Sequence, residues 1–147
     1  MGDLNIPASS RIYLDTAPVI YTVERIPDYF QLLRPVWSQL QNGEIEVITS
    51  EITLLEVLVL PFRNANEPLI QAFETLLSFS QIQLTPITQP ILREAARLRG
   101  GTSLKTPDAI HVATSISTDC DLFLTNDIRI RNIPDCAVVN LSEVLNS

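Results

Sequence analysis

Short apolar runs of strand length alternate with amphipathic segments of helix length along this chain, and that alternation is what most restricts its possible folds. Arg11-Ile-Tyr-Leu-Asp15 reads as a strand ending in an acid, and Thr16-Ala17-Pro18 opens a helix with Pro18 near its first turn. Pro27 starts a second helix that runs through Leu32, Leu33, Val36 and Leu40 to Asn42-Gly43. Glu44 to Ile48 alternates polar and apolar as a strand does, and Thr49-Ser50 caps a helix over 51–60 that Pro61 is expected to end. A helix at about 67–79, a strand at Ile82 to Leu84 and a helix from Thr88 to Arg99, closed by Gly100-Gly101, follow. Thr106-Pro107 begins a helix to about Ser117, with Thr106 as cap, and strands at Asp121–Thr125 and Ala137–Asn140 complete the series. Strands separated by helices imply a mainly parallel sheet covered on both faces. The expected fold class is therefore α/β, a three-layer αβα sandwich. With no linker and no internal repeat, a single domain accounts for residues 1–147, its core at about 10–143.

Four acids fall where such a fold would gather them, because open parallel sheets bind ligands beyond the carboxyl ends of their strands. Asp15 ends the first strand, Glu56 lies in the helix after the second, Asp108 sits in the first turn of the helix begun at Thr106, and Asp127 follows the Leu122-Phe-Leu124 strand. Each has a plainer reading. Asp15 can be a helix cap, Asp108 a first-turn acid favoured by the helix dipole, and Asp127 a turn residue. Glu56 is harder to explain away: seven of the nine residues from Ile52 to Leu60 are aliphatic and it is the only charge among them. A carboxylate in a buried stripe costs several kcal/mol unless compensated. No base lies in the same helix, so a bound cation is a natural partner. Carboxylates converging without an intervening base repel one another. Hard oxygen donors of this kind suit Mg²⁺ or Mn²⁺, and the lack of His and Cys clusters argues against zinc. Ions held in this way support in-line attack of water on a phosphodiester.

The segments Ile12-Tyr-Leu-Asp15-Thr16, Ser50-Glu51-Ile-Thr-Leu-Leu-Glu56, Thr106-Pro-Asp108-Ala-Ile-His111-Val-Ala113 and Leu124-Thr-Asn-Asp127 resemble the four acidic motifs of PIN domains, in order and at suitable spacing. The chain's size and the form of the third motif are similar to the VapC-type endoribonucleases, toxins of type II toxin–antitoxin systems. The resemblance implies Mg²⁺- or Mn²⁺-dependent cleavage of RNA by Asp15, Glu56, Asp108 and Asp127. Asp15 and Asp108 are then direct ligands, Glu56 binds through water or orients the attacking water, and Asp127 completes the site or holds a second ion. Thr16, Thr125 and Asn126 match supporting positions. Ala17 departs from the Asn that many relatives carry after Asp-Thr. The resemblance also implies a homodimer neutralised by a small antitoxin protein. A non-catalytic PIN-like module binding RNA or protein is the rival reading, but degenerate members tend to lose acids. A phosphoacceptor receiver domain fits less well, since it needs paired acids after the first strand and a late lysine.

Charge at first opposes an RNA substrate: the net charge is −7, and phosphate contacts need Lys and Arg. The distribution is uneven, however. Residues 1–90 carry four bases and ten acids, whereas residues 91–147 carry six and seven. Lys105 and Arg97 are candidate RNA contacts, with a solvated surface as the alternative for each. His111, the only histidine, is a candidate base or a structural residue beside the site. Trp37 reads as core or interface. A mean hydropathy of +0.19 and the aliphatic helices at 51–60 and 67–79 suggest a covered partner surface. The longest apolar stretch is too short to span a bilayer, and the N-terminus has no secretion or myristoylation pattern. Cys120 and Cys136 read as free thiols of a reducing compartment. The expected location is the cytoplasm, with no membrane partner.

Overall fold

Five strands form one parallel sheet in the order β3-β2-β1-β4-β5 in the computed structural model, which describes residues 2–78 and 80–147. The strands are β1 (Arg11–Leu14), β2 (Glu46–Ser50), β3 (Gln83–Thr85), β4 (Leu122–Thr125) and β5 (Ala137–Asn140). Seven helices flank them: α1 (Thr16–Val23), α2 (Pro27–Gln41), α3 (Glu51–Arg63), α4 (Glu67–Ser78), α5 (Gln89–Gly101), α6 (Thr106–Ser117) and α7 (Leu141–Leu145). The expected α/β architecture is borne out, with a sheet that is wholly parallel. Residue 79, expected to end the fourth helix, lies outside the described residues.

Side-chain alternation along the central strands divides the core into two layers. Ile12 and Leu14 of β1, with Leu122 and Leu124 of β4, face a cluster that takes in Val19 of α1, Leu33 and Val36 of α2, Val57 of α3 and Phe73 of α4. Tyr13 and Phe123 point the other way, to Val112 of α6, with Ile91 and Ala95 of α5 packing behind α6. All six of these strand residues are nearly or wholly buried, as parallel strands covered on both faces must be. Trp37 packs against the first layer and donates its indole N–H to Thr22 Oγ1 at 3.0 Å, so it is a core residue.

The strand order reverses at β1. The chain adds β2 and β3 on one side of it, then crosses to add β4 and β5 on the other. That switch point opens a crevice at the carboxyl ends of β1 and β4. Register puts Leu14 beside Leu124, and the Asp15 N–H donates to the Leu124 carbonyl at 3.0 Å, so Asp15 emerges next to Thr125.

Several local expectations are corrected. Pro61 does not end α3, which continues to Arg63; a proline near a helix end removes one backbone donor without halting the turn already formed. α5 includes Gly100 and Gly101 instead of stopping before them. Thr106 is the first residue of α6 and Lys105 its cap, without a side-chain capping bond. β2 runs two residues later than Glu44–Ile48, because pairing of Arg11 with Glu46 sets its start. On α3, Leu55, Val59, Leu60 and Phe62 stay exposed, whereas the apolar residues of α4 turn inward at Ile70, Phe73 and Leu77. Of these two helices, α3 carries the uncovered apolar face.

Phe123 is wholly buried and stacked on Tyr13, with ring centroids 4.9 Å apart. Phe123→Ala is expected to cost about 3–5 kcal/mol in urea unfolding. The exposed Leu92→Ala change should stay within about 0.5 kcal/mol in the same assay.

Candidate active site

Asp15 follows β1 directly and caps α1: its Oδ1 accepts from the Thr16 N–H at 2.8 Å. Its other oxygen, Oδ2, accepts from Thr125 Oγ1 at 2.7 Å, and Thr125 Oγ1 also accepts from the Asp127 N–H at 3.0 Å. The capping role weighed for Asp15 is therefore real, and it orients the carboxylate rather than replacing any other use.

Glu56 reaches the same place from α3. Its Oε1 accepts from Thr16 Oγ1 at 2.7 Å and from His111 Nε2 at 2.8 Å. Burial alone would raise its pKa, but the hydrogen bonds from His111 and Thr16 outweigh that and hold it below the usual value. The compensation expected from outside the helix is present, and it comes from side chains rather than needing the cation taken as its natural partner. The Glu56 side chain is 28% exposed, and a histidine and a threonine satisfy it.

Asp108 and Asp127 form a second group around a residue the sequence reading overlooked. Arg129 grips Asp127 with Nε on Oδ1 at 3.0 Å and Nη2 on Oδ2 at 2.6 Å, and Nη2 lies 3.4 Å from Asp108 Oδ2. The expected absence of an intervening base is thus overturned. Burial and the neighbouring charge of Asp127 raise the Asp108 pKa; Arg129 opposes this, and the charge of Asp15 adds to it. Asp127 is held low, chiefly by the Arg129 side chain. Asp108 thus feels both Asp127 and Asp15, and His111 connects Asp15 to Glu56, with Nε2 3.4 Å from Asp15 Oδ1. The four acids stand in two groups, Asp15 with Glu56 and Asp108 with Asp127, and among the described residues no three His, Cys, Asp or Glu side chains stand close enough to form a metal cage.

The donor chemistry nonetheless fits a hard divalent cation. Asp15, Asp108 and Asp127 offer carboxylate oxygens, burial raises the Asp108 pKa with the charges of Asp127 and Asp15 adding to it, and a guanidinium already serves as counter-cation between Asp108 and Asp127. Thiolate ligation has no footing: burial pushes the Cys136 thiol up to about 12 and raises that of Cys120, and both cysteines are free.

The remaining candidates separate. Thr16 and Thr125 touch the carboxylates, as expected. Asn126 does not: its Nδ2 donates to Tyr21 Oη at 2.8 Å and its Oδ1 accepts from the Ser142 N–H at 2.9 Å, tying the β4 loop to α1 and α7. Lys105 lies near enough for its charge to lower Asp127. Arg97 is exposed on α5 and paired with Glu94. His111 is buried, as the structural alternative required, yet it also bonds Glu56.

Residues 12–135 match the PIN domain. The chain belongs to the PIN domain family. Its fold is similar to that of VapBC2 from Rickettsia felis bound to a DNA fragment from its promoter, at 19% identity and a TM-score of 0.68, covering 88% of this chain and 98% of that one. It is also similar to a toxin–antitoxin complex from Klebsiella pneumoniae, at 25% identity and a TM-score of 0.64, covering 88% and 96%. VapC20 of Mycobacterium tuberculosis, a Sarcin-Ricin loop cleaving toxin, matches at 14% identity and a TM-score of 0.62, over 76% and 86%. No curated protein matches the sequence. The four-motif resemblance and the family assignment agree.

Asp108 has a raised pKa in the folded PIN domain, so the folded state favours its protonated form and ionisation opposes folding. Asp108→Asn removes that opposition, so it should raise the urea midpoint at pH 7, by under about 1 kcal/mol for a group this near solvent. The gain should vanish as the pH falls below about 4, where Asp108 itself is protonated. The reverse dependence would contradict the assigned repulsion. Glu56 and Asp127, held low, contribute stability above their unfolded values that is lost as pH drops through the folded ones.

Proposed function

We propose that this PIN domain is a divalent-metal-dependent endoribonuclease and the toxin of a toxin–antitoxin pair. One observation supports the reading: acids from distant parts of the chain are joined in pairs at the carboxyl ends of β1 and β4, Asp15 and Glu56 through His111, and Asp108 and Asp127 through Arg129. Asp15 and Asp108 would hold Mg²⁺ or Mn²⁺, with Asp127 completing the site. The ion supplies Lewis-acid activation of water and stabilises charge at the scissile phosphate. Thr16 and Thr125 keep the Asp15 carboxylate aimed at the crevice. Glu56, with Oε1 occupied by two donors, offers Oε2 to orient the attacking water or take its proton. Lys105 is a better candidate than Arg97 for a phosphate contact, because its charge already reaches Asp127 whereas Arg97 is engaged by Glu94.

RNA as substrate is supported by the neighbour described as a Sarcin-Ricin loop cleaving toxin, and an antitoxin partner by the toxin–antitoxin complexes of the same fold. No described helix is long and apolar enough to cross a membrane, and a cytoplasmic site of action accords with an RNA target. The exposed Leu55, Val59, Leu60 and Phe62 of α3 suit a homodimer contact. Phe62→Asp should convert a dimer to a monomer in light scattering; a wild-type protein already monomeric at micromolar concentration would remove this assignment.

Cleavage of structured RNA in Mn²⁺ tests the activity. Asp15→Asn should lower the rate by at least about 100-fold, beyond what loss of an outer partner usually costs, and chelation should abolish cleavage until Mn²⁺ is restored. If wild type and Asp15→Asn proved equally inert on every RNA offered, the non-catalytic module would be the better reading.

A further inference from the structure

His111 and Tyr13 are buried, titratable and unused by the mechanism so far. Tyr13 lies on β1, two residues before Asp15, and is wholly buried; its ring stacks on Phe123 and meets the His111 ring edge-on, at 72° between planes. Tyr13 Oη and His111 Nδ1 are 2.7 Å apart. His111 Nε2 faces Glu56 Oε1 at 2.8 Å, Thr16 Oγ1 at 3.1 Å and Asp15 Oδ1 at 3.4 Å.

Hydrogen-bond chemistry fixes the direction of this array. Carboxylate oxygens only accept, so Nε2 carries a hydrogen toward Glu56. A neutral ring with its hydrogen on Nε2 leaves a lone pair on Nδ1, and the Tyr13 hydroxyl donates its hydrogen bond there. Thr16 Oγ1 adds a second donor to the same Glu56 oxygen. A histidine required only to fill the core would be replaceable by an apolar side chain. Here both ring nitrogens are committed, one of them to a carboxylate at the crevice.

We infer that His111 is the positioning residue for Glu56, its ring locked from behind by Tyr13, so that Oε1 is fixed and only Oε2 remains for water or a cation. The inference rests on the proposed role of Glu56 for its consequence in the reaction, though not for the array itself. Orienting partners of this kind are worth about 10- to 100-fold in metal affinity or activity.

Nitrogen-15 NMR of the full metal-free chain tests the array directly, since there is one histidine and no assignment is needed. Nε2 should be protonated and Nδ1 bare; Tyr13→Phe should move the Nδ1 signal and Glu56→Gln the Nε2 signal. Mn²⁺ titration then reads the consequence. His111→Phe should weaken Mn²⁺ binding by about 10-fold or more, whereas His111→Gln, which presents an amide donor near the Nε2 position, should recover most of it. In RNA cleavage the loss should fall on kcat with KM held. A bare Nε2, or His111→Phe binding Mn²⁺ like wild type, overturns the inference. Should His111→Phe fail to fold by circular dichroism, Tyr13→Phe decides: an unmoved Nδ1 signal with unchanged Mn²⁺ affinity overturns it equally. A wild-type protein with the expected ring signals and no cleavage of RNA would sink the nuclease reading and leave the array standing.

Discussion

The pairing register between β1 and β4 is the constraint on which the rest of the molecule depends. Ile12, Tyr13 and Leu14 stand opposite Leu122, Phe123 and Leu124, and the side chains alternate between two layers that are both buried. A slip of one residue would turn every side chain to the other layer. Tyr13 would leave His111, Leu14 would face α6, and Asp15 would lose Thr125. The register thus protects core and crevice together. The same alternation that buries Leu14 in the first layer sends Tyr13 into the second, where it supports a helix carrying both Asp108 and His111. Mobility at this pair of strands would loosen both carboxylate groups at once, which is why the site sits on the most deeply buried part of the sheet.

Gathering acids at one crevice creates a repulsion that the chain relieves in two different ways. Around Asp15 and Glu56 the relief is hydrogen bonding: Thr16, Thr125 and His111 supply donors from three elements. Around Asp108 and Asp127 it is a charge, the Arg129 guanidinium. Two unit charges about 4 Å apart exchange on the order of 4 kcal/mol near a protein surface, while a helix dipole offers Asp108 only about 0.3–1 kcal/mol. The dipole of α6 therefore cannot offset Asp127 unaided, and a full counter-charge is needed. Arg129 is largely exposed and local in sequence to Asp127, so it can move aside for a competing cation. The donors around Asp15 and Glu56 belong to packed elements and cannot. The crevice thus combines a fixed half with an adjustable half.

Most of the fold was legible in the sequence because parallel strands and amphipathic helices differ in period and in burial. All five strands and the six longer helices are where the pattern put them, within a few residues. What was missed has local causes. α7 is five residues long and begins directly after β5, with Asn140 serving as its cap, so no separate periodic segment announces it. Ser50 ends β2 and caps α3 at once, so its polarity looks like a loop although it is wholly buried. The four acids were legible from their positions at strand ends and early helix turns. Thr16 and Thr125 were legible beside them, but the array behind Glu56 was not, because Tyr13, His111 and Glu56 are far apart in sequence and meet only through topology. Arg129 did leave a trace, two residues after Asp127, where a turn brings its side chain back onto that carboxylate. Asn126 misled for the opposite reason: adjacent to Asp127, it points away, to Tyr21 and Ser142.

The acidic net charge reads differently once the bases are placed. Arg11 is bound to Glu46, Arg131 to Glu143, and Arg97 to Glu94, leaving these pairs electrically closed. Arg99 donates to the Leu104 carbonyl and to Thr106 Oγ1, pinning the loop that delivers Lys105 and the first turn of α6. Its contribution to the crevice is to place Asp108, without touching a substrate. Beside the carboxylates stand the charges of Lys105 and Arg129. With 10 bases against 17 acids the chain gives little general attraction to a polyanion, since such attraction grows with the number of phosphates neutralised. On the proposed function, RNA recognition would concentrate at the four acids, where a divalent ion would add positive charge and make this site the chain's principal phosphate-attracting feature.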